Sequence, residues 1–267
     1  SATTYASEQI MLRQLLLFSI KNGMEFFSKV FIGDKAQTKK LAALITLLQV
    51  KWQCEKRTGF PFSYLETAKM GLAVAKDTKR ELMCCILIDK EDGRDFGRIV
   101  AHMILREFVG MYPNARENDD FDEFNTRLPE IIFSSIQPVL DGLLDHKRIQ
   151  MALLTNRNGD SLKYSTHEVD KLRLLANLQA YLRVATDIMA GPDDRPMKMD
   201  IKGAKNRLVL SRITGATLIV ACDNSETVEE NLETDEEVQH AEKLLSTVLN
   251  TAAHISAGVK FERGFSH

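Results

Sequence analysis

No stretch of this chain is both apolar and long enough to cross a bilayer. The run Leu15–Ile20 is short and stops at Lys21-Asn22-Gly23, whereas a spanning helix needs about 20 apolar residues. No secretory leader pattern is visible, and no Asn-x-Ser/Thr acceptor occurs. Cysteine is scarce: Cys54, Cys84, Cys85 and Cys222 are the four present, and their spacing matches no zinc pattern. They are expected to be small apolar side chains in a reducing compartment, so the expected location is cytoplasmic. Charge of one sign is also missing. Lys plus Arg number 35 against 37 Asp plus Glu, a net charge of −2, which leaves no overall basic field for a nucleic-acid backbone. The chain begins at Ser1 without a methionine. Methionine removal, a chosen boundary or a cleaved targeting peptide would each produce that start.

Catalytic patterns are missing too. There is no Gly-x-x-x-x-Gly-Lys-Ser/Thr phosphate loop, no His-Glu-x-x-His and no Gly-x-Ser-x-Gly. Asp95-Phe96-Gly97 spells a kinase metal-binding triplet, but no glycine-rich loop and no His-Arg-Asp loop accompany it. Asp95 is therefore expected at a helix N-terminus, with Phe96 buried. The six histidines are scattered, and the pairs Asp119-Asp120 and Asp193-Asp194 sit in polar stretches where solvated caps are the ordinary outcome. No catalytic, cofactor or metal residue is expected. The expectation is a chain that is not an enzyme and neither hydrolyses nor tightly binds nucleotide.

What is present is an ordinary globular composition, 44% hydrophobic and 27% charged, over 267 residues. That length suits two domains of about 100–150 residues. Met11–Ile20 and Met24–Ile32 read as strands joined at Asn22-Gly23, a hairpin signal because both central residues of a two-residue turn take positive φ. Asp34 to about Lys51 reads as a helix, with Leu41, Leu44, Ile45, Leu48 and Trp52 at helical spacing. Leu65–Ala75 and Leu82–Asp89 are two strands across the polar turn Asp77–Arg80. The second is apolar throughout, which predicts a central strand covered on both faces. A helix over Asp95–Tyr112 ends at Pro113-Asn114. Glu117–Glu123 is an acidic surface segment or linker, and Phe121–Ile136 and Pro138–Leu144 are helical.

The second half repeats this order. Ile149–Thr155 and Ser161–Ser165 flank the turn Arg157–Asp160, and a helix follows from Thr166 to about Met189. Arg207–Ile213 and Ala216–Cys222 form a strand pair turning at Thr214-Gly215. An acidic loop over Glu226–Glu233 then leads to a final helix over Asp235–Ile255 and a tail over Gly258–His267. Asn22-Gly23 in one half answers Asn158-Gly159 in the other. The fold class expected is α/β (α+β), two small antiparallel-sheet domains of β-β-α-β-β-α type with helices packed on the sheets.

Hairpin, helix, strands and closing helix resemble the longin and roadblock families. The first half is similar to a longin domain, through its opening hairpin Leu15–Phe31 and the strand and long helix Leu82–Tyr112 ending in Tyr-Pro. The second is similar to a roadblock domain, through the helix Pro138–Leu144, the strand–Asn-Gly-Asp–strand turn and the long helix. The resemblance places a longin-like domain over 1–116 and a roadblock-like domain over 117–267. It implies a non-enzymatic adaptor or scaffold subunit linked to small-GTPase regulation or vesicle trafficking. Partners would then be other protein subunits, among them a small GTPase, with no nucleic acid, and with peripheral membrane association through a partner. The alternative is a structural subunit of a dynein, axonemal or other large assembly, and a third is an enzyme or ligand sensor on a profilin-like or PAS-like sheet.

The first helix of each half carries more apolar residues than one buried stripe needs. Leu41, Leu44 and Leu48 in the first, and Leu174, Leu178 and Tyr181 in the second, are the candidate partner-binding residues. Two basic groups, Lys35/Lys39/Lys40 and Lys198/Lys202/Lys205/Arg207/Arg212, read as solvated surface, or as docking patches for an acidic partner or anionic headgroups.

Overall fold

The computed structural model describes residues 12–32, 38–59, 62–116, 119–166, 198–224 and 227–264, with backbone alone for 38–42 and 259–264. The chain divides into two compact units, Ser1–Ser135 with Thr247–His267, and Ile136–Ser246.

The first unit is built on strands β1 (Leu12–Ser19), β2 (Glu25–Val30), β3 (Tyr64–Glu66), β4 (Met70–Asp77) and β5 (Leu82–Asp89). They form one antiparallel sheet in the order β2-β1-β5-β4-β3. Helix α1 (Thr38–Thr58) follows β2, and α2 (Arg94–Met111) and α3 (Asp122–Phe133) follow β5. Successive strand side chains point to opposite faces, and that parity sorts the core. Leu16, Phe18, Leu72, Val74, Met83 and Cys85 share a cluster with Leu48 and Trp52 of α1. Ala73 and Ile88, of the opposite parity, meet α2 at Gly97, where an added Cβ would stand 2.7 Å from the Ala73 Cβ. The sheet is thus covered on both faces, which is what the unbroken apolar runs of β1 and β5 require.

That contact also explains Asp95-Phe96-Gly97. Asp95 lies in the first turn of α2, Phe96 is fully buried, and Gly97 permits the close approach of helix to strand.

The second unit is built on α4 (Ile136–Leu144), then β6 (Ile149–Asn156), β7 (Ser161–Thr166), β8 (Lys198–Lys202), β9 (Asn206–Ile213) and β10 (Ala216–Asp223), with the first part of α5 (Val228–Gly264). Its antiparallel order is β7-β6-β10-β9-β8. Substituting strand for strand, this is the order of the first sheet. The α+β class and the internal repeat stand, and the Asn-Gly turns occupy equivalent places between the first two strands of each sheet.

Several local expectations differ from the structure. Each sheet has five strands, because Leu65–Ala75 breaks at Thr67–Lys69 and β8 lies inside the expected connection 191–205. The Asn-Gly turns are longer than two residues. Only Gly23 (φ 73°) and Gly159 (φ 87°) take positive φ. The hydrogen bond from the Ser19 amide to the Met24 carbonyl at 2.8 Å closes a wider loop, and register shifts follow at Leu17/Phe18 and Leu154/Thr155. Helix α5 begins at Val228, inside the expected acidic loop, and runs into the expected tail as far as Gly264. Glu229 and Glu230 in its first turn complement the partial positive charge of a helix start.

The first compact unit takes in residues up to Ser135 and again from Thr247. Phe121 and Phe124 belong to the first unit by packing: Phe124 stands 5.2 Å from both Phe27 and Phe108, and Phe121 4.9 Å from Tyr112, centroid to centroid. Such aromatic pairs add to the area they bury. The helix expected over Thr166–Met189 lies outside the described residues except for Thr166, which ends β7.

Candidate functional site

Helix α1 carries apolar residues on two sides. On the sheet side, Leu48 is fully buried, Trp52 nearly so, and Leu44 and Ile45 pack partly buried against the same cluster. Gln49 ties the helix to the first hairpin by donating to the Ile20 carbonyl at 3.0 Å. On the outer side, Ala43, Leu47, Val50 and Cys54 are exposed. Their 4-3-4 spacing sets them in one row along the helix. Leu47 is 45% and Val50 55% exposed, among the few large apolar side chains left in solvent.

The candidate residues therefore separate. Leu48 is a core residue that holds α1 to its own sheet, Leu44 sits partly buried beside it, and the side chain of Leu41 lies outside the described residues. So do Leu174, Leu178 and Tyr181. Leu47 and Val50 belong to the same apolar surplus of this helix but stood outside the chosen candidates, because counting apolar residues does not reveal which side of a helix meets the sheet.

The lower end of α1 is pinned by charge. Glu55 and Lys76 form a partly buried ion pair, and the Lys76 Nζ stands 5.4 Å from the Trp52 ring centroid and 5.5 Å from that of Phe62. Low polarity around this ammonium strengthens both attractions.

The basic group around β8 and β9 does not form a patch. Arg207 is 4% exposed. It holds Asp200 bidentately, with Nε and one terminal nitrogen each 2.9 Å from a carboxylate oxygen, and it donates to Asp235 of α5 at 2.8 Å. These hydrogen bonds from Arg207 hold the Asp200 carboxyl below its ordinary pKa, despite the opposing cost of desolvation. Lys198 pairs with Glu242 at 3.5 Å and Lys202 with Asp200 at 3.7 Å. Glu242 also accepts from the Ser211 hydroxyl at 2.5 Å. Lys198, Lys202 and Arg207 thus join an edge strand to its sheet and to α5. Lys35 lies outside the described residues, as do the side chains of Lys39 and Lys40.

Cys84, Cys85 and Cys222 are buried, and burial raises each thiol pKa, so none is a ready nucleophile. Cys54 is exposed. Among the described residues no three His, Cys, Asp or Glu side chains gather as metal ligands, and no helix is long and apolar enough to cross a membrane.

No family model matches the chain. Among solved structures, MglB of Myxococcus xanthus aligns over 45% of this chain and 91% of its own, with 16% identity and a TM-score of 0.38. The gliding protein MglB of Thermus thermophilus covers 46% of this chain and 91% of its own, with 15% identity and a TM-score of 0.37. A Roadblock/LC7 domain from Streptomyces avermitilis covers 40% of this chain and 91% of its own, with 14% identity and a TM-score of 0.34.

Among curated proteins, a cytidylate kinase of Bacteroides thetaiotaomicron is 29% identical over 153 residues, 49% of this chain and 64% of the relative. The chain thus spans less than two thirds of that relative's length. This match to a kinase overturns the expectation that the chain is not an enzyme. That expectation rested on absent motifs, and motif absence does not weigh against similarity along a sequence.

Proposed function

We propose that the chain is an adaptor or scaffold subunit of a protein assembly, linked to regulation of a small GTPase at membranes or vesicles. The observation that carries this reading is the outer row of α1. Leu47 and Val50 stand in solvent at 45% and 55% exposure on a helix whose opposite side is already satisfied by its own sheet. An exposed apolar row is costly in water, at about 25 cal/mol per Å², and in soluble proteins such rows mark protein contacts. The partner docks on Leu47 and Val50 in the first unit, and Leu174, Leu178 and Tyr181 remain the proposed counterparts in the second. Membrane attachment comes through the partner.

The test is a panel of small GTPases assayed for binding and for nucleotide exchange and hydrolysis, with wild-type protein and with Leu47→Glu. One GTPase is expected to bind and to change its rate, and Leu47→Glu is expected to abolish both while the melting temperature holds. Equal activity of wild type and variant removes α1 from the reading. No response from any GTPase favours a structural subunit of a motor or other large assembly.

The cytidylate kinase match favours a second reading, phosphoryl transfer to a pyrimidine nucleotide. The sequence has no Gly-x-x-x-x-Gly-Lys-Ser/Thr loop, so phosphates would have to be held by other groups. ADP formation from ATP dependent on CMP is the measurement that decides it.

A further inference from the structure

We propose that a cleft in the second unit binds a small phosphorylated molecule, with the phosphoryl group held between Arg157 and Arg212. The cleft has a volume of about 590 Å³, and its lining includes Arg157, Arg212, Thr214, Gly215, Thr217 and Ser246. Five parts of the unit build it, β10 among them through Thr217. Arg157 comes from the turn between β6 and β7. Arg212 comes from the end of β9, facing Thr217 of β10 in register. Thr214 and Gly215 form the turn between those two strands, and Ser246 comes from α5.

The charged side chains that line the cleft are all of one sign. Arg13, Arg80, Arg148 and Arg207 are all matched to carboxylates. Among the described residues Arg157 and Arg212 have no ion-pair or hydrogen-bond partner, and none of those lining the cleft is acidic. In a chain with net charge −2, two guanidinium groups with no carboxylate partner among the described residues make a local positive potential in one concavity that selects an anion.

The neutral groups point the same way. The Thr214 and Ser246 hydroxyls lie 2.9 Å apart, so one donates to the other and the acceptor's own proton stays available. Gly215 has φ +69°, and a Cβ there would lie 4.0 Å from the Arg157 Nε, which places this guanidinium over the turn. Guanidinium forks bind phosphate bidentately, and donors converging from several elements suit a tetrahedral oxyanion better than a planar carboxylate. The volume lies within the range of about 300–1,000 Å³ usual for small-molecule sites. This inference rests neither on the docking role of α1 nor on kinase activity.

The test is calorimetric titration of the full chain with inorganic phosphate, pyrophosphate and CMP, against sodium acetate and sodium chloride at matched ionic strength. Wild-type protein is expected to bind at least one of the three phosphorylated probes at one per chain. Arg157→Gln and Arg212→Gln are each expected to weaken binding about tenfold or more, the loss expected of a hydrogen bond to a charged group. CMP binding tighter than inorganic phosphate assigns the site to an organic phosphate, and the reverse order assigns it to the free anion. Arg157 lies in an exposed turn, so its variant should melt like wild type, and Arg212→Lys serves if Arg212→Gln melts early. The proposal is overturned if no phosphorylated probe binds, if acetate or chloride reproduces the heat, or if both arginine variants bind like wild type.

Discussion

Strands β3 and β8 occupy the same place, at the same edge of sheets with the same order, yet they are held by opposite chemistry. Strand β3 is three residues long. The Tyr64 ring lies over the bare backbone of Gly71, close enough that any Cβ there would collide with it, and Leu65 packs against the apolar cluster under α1. Its one ion pair, Glu66 with Lys90 at 2.7 Å, is exposed on both sides and adds little. Strand β8 is five residues long and alternates Lys198, Asp200 and Lys202 along one face. It is joined to β9 and α5 through Arg207. One topology therefore tolerates two ways of closing a sheet. Apolar contact is undirected and insensitive to pH. A buried guanidinium fixes geometry, but removal of one partner leaves charge stranded. The lysines of β8 also discourage pairing with a foreign strand at that edge.

The sharpest way to break this comparison is Arg207→Met. It strands Asp200 and Asp235 and should cost the second unit about 3 kcal/mol, measured by chemical denaturation. A cost below about 1 kcal/mol would mean that the ion network is dispensable, as the exposed pair at β3 is.

Next in size is Gly71→Ala. It pushes the Tyr64 ring off β4 and should cost about 1–2 kcal/mol, with faster hydrogen exchange confined to β3 and β4. Exchange that spreads evenly over the sheet would show that β3 is not fastened locally.

A smaller effect separates the two edges by pH. The folded-state pKa of Asp200 is depressed, so its contribution is full above the ordinary carboxylate pKa of about 3.9 and is lost as pH falls through the lower folded value. Acid should therefore loosen β8 before β3 in an exchange experiment, and Asp200→Asn should remove that difference. Loosening of β3 first would reverse the assignment.

The smallest expected effect is on stability in Leu47→Glu, within about 0.5 kcal/mol, because that side chain touches none of the core. A large loss would place the outer row of α1 in contact with the fold.

The two strands also show what was readable in advance. Strands β1, β5, β6 and β10 were read as strands between turn residues, and the order of elements followed the internal repeat. Strand β3 was hidden because the break before β4 has neither Gly nor Pro: Thr67 closes it, its hydroxyl accepting from the Met70 amide at 3.1 Å. Strand β8 was hidden because Lys-Met-Asp-Ile-Lys reads as a polar connection. Arg207 read as surface charge because its partners stand 7 and 28 residues away in sequence. The same reading placed Arg212 in that group, although it lines a cleft whose other walls come from a distant turn and from α5.

The sequence by itself determined the repeat, the α+β class and the burial of β5, because apolar periodicity and turn chemistry are local properties. It also accounted for Asp95 and Phe96 as parts of a helix start. Only the tertiary structure decided which side of α1 is core and which is free, since that depends on where the sheet lies. Only the tertiary structure separated Arg207, quenched by two carboxylates, from Arg157 and Arg212, left without any among the described residues, because charge compensation is a matter of distance in space and not of neighbours in the chain.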